Sequence, residues 1–193
     1  GAPRHTLDPD TLARLGVPAD YPDHLLVPLS EYCACPTVKP GCVSGFSLQS
    51  QLPGHALGLR TKALAMLFYG ASSQVGVTQF DNPAIRVHAR FGPMKILVHR
   101  PVIHTHAYKS FVYELDLPTA TTLEAMARDP HHAIAPPPPP SSHDWSFDPD
   151  DETHHQRLAA LLDRGEEVFI TQPGWETDLS DQTIRIPMKT ILT

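Results

Sequence analysis

Proline punctuates this chain from end to end, 21 times in 193 residues against 11 glycines. Each proline fixes φ and withholds a backbone donor, which favours short strands, turns and extended segments over long helices. The expected fold class is therefore mainly β: an antiparallel β-sandwich or barrel with about three short peripheral helices, an extended N-terminal arm and a proline-rich strap. The length suffices for one sizeable core, and no run approaches a membrane span, so the chain reads as soluble.

Two pieces are expected. Residues 1–42 read as the extended arm with one short helix, capped by Asp8, opened by Pro9 and stopped by Gly16. Residues 43–193 read as a β-rich domain interrupted by a proline-rich loop at 129–150, in which five prolines run consecutively. Strands are expected over 43–51, 62–69, 73–80, 111–115, 168–171 and 184–188, the last at a sheet edge because of Pro187. Helices are expected over 119–128 and 151–164, each with a polar cap and an apolar leucine or methionine side.

The stretch 84–116 carries the clearest alternation. Ile85, Val87, Ala89 and Phe91 alternate with Arg86, His88 and Arg90, and after Gly92-Pro93 the pattern resumes through Met94, Ile96 and Val98. Period two predicts a strand hairpin with one buried and one wet face. The wet face, formed by Arg86, His88, Arg90, Lys95 and His99, would be cationic. This matches a wider asymmetry: residues 60–109 hold seven lysines and arginines against Asp81 alone, while acids dominate after Glu114, within a net charge of −6. The face could meet a partner's acids or be covered by the chain's own acidic strap. Trp145 and Phe147 suggest that the strap docks, since a solvated linker gains nothing from exposed aromatics. Nucleic acid is not expected as the partner, because aromatic side chains do not interleave with these cations.

No complete catalytic signature occurs. Gly70 to Gly76 lacks the lysine of a phosphate-cradling loop, and Cys42 with His99 or His104 lacks the setting that activates a thiol. Either Cys33 or Cys35 could be bridged to Cys42 across the 36–41 loop, or all three could bind zinc together with His55 or remain free thiols. His104 and His106 would point the same way on a strand and could chelate one metal with His88, His99 or Glu114. The order IRVHARFGP, HTH, GEEVFITQPGW resembles that of cupins, small β-barrels; the resemblance implies a metal-dependent enzyme, with zinc or iron held by His104 and His106.

Taken together, these features predict a non-catalytic structural or interaction subunit of a larger protein assembly. Its partners would be other protein subunits, met through the arm, the cationic face, Trp145 and Phe147; no resident cofactor is expected. The cupin-like enzyme is the alternative. A start at Gly1 fits a chain from which a leader has been removed, which would open an organellar location, and equally a residual tag.

Overall fold

The computed structural model describes residues 1–52, 54–101, 109–129, 144–171, 176–177 and 184–191. Among these, strands are β1 (Ala2–Pro3), β2 (Leu26–Val27), β3 (Ser30–Pro36), β4 (Cys42–Ser50), β5 (Ser73–Gln79), β6 (Met94–His99), β7 (Ser110–Asp116), β8 (Trp145–Phe147), β9 (Glu167–Ile170), β10 (Glu176–Thr177) and β11 (Ile184–Ile191). The helices are α1 (Pro9–Arg14), α2 (Leu57–Tyr69), α3 (Ala84–Ala89), α4 (Ala120–Arg128) and α5 (Glu152–Asp163), with a single 3-10 turn at Arg4–Thr6. The chain is mainly β, as its prolines require. Its main sheet is open and mixed, in the order β10-β11-β9-β6-β7-β5-β4-β3, and β8 pairs beside β11. The sheet does not close into a barrel, so the architecture implied by the cupin resemblance is absent among the described residues.

Most neighbours are antiparallel. The exception is β4 with β5, which run parallel and are joined through α2. This crossover places α2 against β3, β4 and α4. The 62–69 stretch, expected as a strand, is thus helical. Leu59, Lys62, Ala63 and Met66 form its buried stripe at helical spacing, and Gly70 ends it with φ +57°. Its apolar residues run all round, so period alone does not distinguish helix from strand.

The expected hairpin is half correct. Residues 94–99 form β6, but 84–89 form α3, which buries Ile85, His88 and Ala89 at positions i, i+3 and i+4. Over six residues an alternating pattern also satisfies that spacing. Local chemistry selects the helix: Pro83 precedes it with φ −56°, and the Asn82 side chain accepts from the Ala84 N–H at 2.9 Å. The cationic sheet face therefore does not exist as such. Arg86, His88 and Arg90 belong to a helix and its end, while Lys95 and His99 lie on β6.

The capped helices form where expected. Asp8 accepts from the Thr11 N–H, Thr119 from Thr122 and Asp151 from Thr153, each at a helix start. β11 is not an edge strand, since β8, β9 and β10 each pair with part of it. Pro187 is tolerated because its missing donor falls opposite Thr171, just past the end of β9, where its carbonyl still accepts from the Thr171 N–H.

One large core runs from Val43 through α2, α3 and the sheet to Met188. The N-terminal segment has its own small core of Val27, Leu29 and Leu52, on which Leu7, Leu12, Leu15 and Tyr21 pack. Its later part, β3, is already a strand of the main sheet, paired with β4.

Candidate functional site

Four strands and α3 enclose a cleft of about 260 Å³. Its floor is set by two glycines inside strands. Gly45 of β4 lies opposite Gly76 of β5, which in turn lies opposite Tyr113 of β7. A methyl group on Gly76 would come within 2.8 Å of the Tyr113 Oη, and one on Gly45 within 2.7 Å of the Gln74 Nε2. The glycines thus leave the room in which Tyr32, Gln74 and Tyr113 lie across the sheet. Gln74 donates from Nε2 to the Tyr113 Oη at 2.8 Å.

Three other polar atoms here have no hydrogen-bond partner among the described residues: the Tyr32 Oη, the Gln74 Oε1 and the Thr78 Oγ1, all buried. Tyr32, Gln74 and Thr78 all line the one cleft. Burial also raises both phenols well above their ordinary range, so Tyr32 and Tyr113 stay protonated.

His88 of α3 forms part of the wall. Its Nδ1 lies 2.8 Å from the Nζ of Lys62, a lysine with no exposed surface that also sits 4.3 Å from the centre of the Phe91 ring. Among the described residues no carboxylate pairs with this amine. Desolvation lowers Lys62 far below the usual lysine range, and His88 is lowered by desolvation and then by Lys62. His88 is therefore neutral at pH 7, and Lys62 is held toward its neutral form. One proton lies between Nζ and Nδ1, and which atom donates follows the His88 tautomer. The cleft is equipped to hold an uncharged molecule by hydrogen bonds, with hydroxyl donors from Tyr32 and Thr78 and an acceptor from Gln74.

A second polar cluster lies where α5 meets β6. His155 contacts the Pro149 carbonyl from Nε2 at 2.8 Å, and a carbonyl only accepts, so Nε2 carries the proton. The neutral Nδ1 of His155 then accepts from the His99 Nε2–H at 2.8 Å. Desolvation, helped by His155 and Arg100, lowers His99 to about 4. Arg100 clamps Glu152 with two bonds, of 3.0 and 2.6 Å.

The residues singled out by sequence scatter. Lys95 pairs with Glu167, while Arg86 is exposed and Arg90 half-buried. Trp145 and Phe147 are buried in the chain's own core on β8, so neither side chain is free to meet a partner. They dock because β8 pairs with β11, while Asp144 and Asp150 reach Lys189 and Lys109. Cys33 and Cys35 are exposed and Cys42 is buried; all three are free thiols, and they do not gather with His55. His104 and His106 lie outside the described residues. Among the described residues no three histidine, cysteine, aspartate or glutamate side chains come together to hold a metal, and no helix is long and apolar enough to cross a membrane.

Sequence reasoning missed Tyr32, Gln74, Thr78 and Lys62. The available signals were Gly45 and Gly76, glycines in the middle of strand patterns, and a lysine inside an apolar run. Comparison with models of protein families, with curated proteins and with solved structures finds no match for this chain in any of the three, so its site has to be interpreted from its own chemistry.

Proposed function

We propose that this protein binds a small, uncharged, hydroxyl- or amide-bearing molecule in the cleft between α3 and the sheet. The observation that carries the reading is that three residues lining one cavity each carry a buried polar atom with no partner among the described residues. Each such atom costs about 1–3 kcal/mol when left unpaired, and a ligand with matching donors and acceptors removes that cost. The lining includes no carboxylate, lysine or arginine, which argues against a charged ligand. The test is titration of ¹⁵N-labelled protein with glycerol, erythritol and acetamide, with acetate and methylammonium as charged controls. The Gln74 side-chain amide and the Gly45 and Gly76 amides should move with the uncharged probes, and less so in the Tyr32→Phe/Thr78→Val double variant. Movement with the charged probes alone would overturn the reading.

A second reading concerns the setting in which binding occurs. We propose that the chain is a non-catalytic subunit of a protein assembly, supported by Leu64 and Phe68, which lie one turn apart on α2 and are 57% and 84% exposed. Native mass spectrometry of protein from its own source should show a heteromeric mass that is lost in Phe68→Ser. A monomer mass at cellular concentration would remove this reading and leave the first untouched.

A further inference from the structure

Beside the polar cleft lies a second, larger hollow of about 480 Å³, lined largely by apolar groups that include Leu52, Leu57, Leu59, Pro83 and Val87. The two are not separate features. Leu48, Gln49, Asn82 and Ala84 line both, so the polar cleft and the apolar hollow adjoin along one shared wall. A ligand confined to the cleft would leave the hollow's leucines against water. One confined to the hollow would leave Tyr32, Gln74 and Thr78 unpaired. A molecule that satisfies both must be polar at one end and apolar at the other.

Resting on the binding function above, we propose that the ligand is a single-chain amphiphile with an uncharged, hydroxyl-bearing head, the head held in the cleft and the chain laid in the hollow. The head is uncharged because the cleft's lining includes no carboxylate, lysine or arginine. The chain end follows from the hollow's lining. Arg90 also lines the hollow and is half-buried, which makes a carboxylate head, reversed in orientation, the competing arrangement.

The probe is 1-octanoylglycerol, used below its micellar concentration with glycerol and octanoate alongside, and the readout is the amide spectrum of the full chain. Two reporter sets separate the two ends: Gly45, Gly76 and the Gln74 side chain for the head, and Ala56, Leu57 and Gly58 for the chain. Octanoylglycerol should move both sets, and glycerol only the first. Affinity should rise roughly two- to four-fold per methylene from the acetyl to the octanoyl ester, following the transfer of each methylene out of water. Gly58→Leu should plug the hollow and cost at least about ten-fold in octanoylglycerol affinity, with glycerol unaffected. A side chain there is sterically admissible, because the first carbon would meet only the Leu48 side chain at 3.7 Å. The chain-length series on the unmodified protein stands on its own if that variant folds poorly.

The failures differ. Head-set shifts with no dependence on chain length overturn the amphiphile while leaving the polar cleft intact. Chain-set shifts without head-set shifts overturn both readings. Octanoate binding as tightly as octanoylglycerol overturns the uncharged head and gives the site to Arg90.

Discussion

Two buried histidines divide the molecule into contrasting regions. At the α5–β6 seam every imidazole nitrogen of His155 has a partner, Arg100 is clamped by Glu152, and the rings pack among Phe80 and Phe147. At the cleft, His88 is just as buried, yet its partner is a lysine that meets no carboxylate, and three neighbouring polar atoms have no partner, among the described residues. Burial alone therefore does not separate structural from functional polarity. The useful distinction is whether the protein itself completes the hydrogen bonds, since a satisfied network rigidifies a fold and an unsatisfied one awaits something else.

The contrast can be broken at several points. The largest effect is expected from Phe80→Ala, whose ring lies 4.3 Å from Phe111 and 4.4 Å from Phe147. Urea unfolding should show a loss of about 3–5 kcal/mol, while glycerol binding by the folded fraction persists if the two regions are independent. Next comes the alkaline limb. Lys62 is held toward the neutral amine when folded and stays charged when unfolded until pH approaches 10.5, so the unfolded state binds more protons and stability must rise with pH. Between pH 8 and 10 that slope should be positive and at most about 1.4 kcal/mol per pH unit, and Lys62→Met should remove it. The window stops there because Tyr32 and Tyr113, raised in the fold, lose stability above their unfolded value of 10.0.

His155→Phe should cost about 1–3 kcal/mol, because it strands the His99 donor and the Pro149 carbonyl. The opposite sign is expected in the cleft. Thr78→Val removes an unpartnered hydroxyl and should leave the free protein unchanged or up to about 1 kcal/mol more stable, while weakening glycerol binding. A marked loss of stability in Thr78→Val would show that this hydroxyl is structural and would erase the contrast. The smallest effect belongs to the exposed Arg100–Glu152 pair, where Glu152→Gln should change stability by less than about 1 kcal/mol and less still in high salt. Acid does not discriminate between the regions: His88 and His99 are both lowered, so both contributions are lost as pH falls below 6.5 toward their folded values.

Much of the fold was legible where one side chain decides a local outcome. Asp8, Thr119 and Asp151 announced their helices, and Gly92-Pro93 marked the start of β6. The misreadings occurred where six to eight apolar or alternating residues satisfy two periods at once, as in 62–69 and 84–89; the tertiary position of α2 resolves the first, and the Asn82–Pro83 start resolves the second. The cleft was illegible for a different reason. Tyr32, Gln74, Thr78 and His88 come from two strands and a helix, and none belongs to a spaced motif. What joins them is the Gly45–Gly76 register, which depends on a parallel pairing that hairpin logic does not generate.

That parallel pairing also governs how the chain must come together. Antiparallel neighbours such as β3 and β4 can zip from a turn, but β4 and β5 meet only after α2 has been threaded between them. The entropy of closing that loop is spent before the contacts repay it, which makes the step slow. During synthesis β4 therefore waits with one open flank, and the cleft appears only when the crossover closes. Probe binding would then report the moment of tertiary completion during refolding, and a chaperone acting on this chain would find its target in the unpaired side of β4.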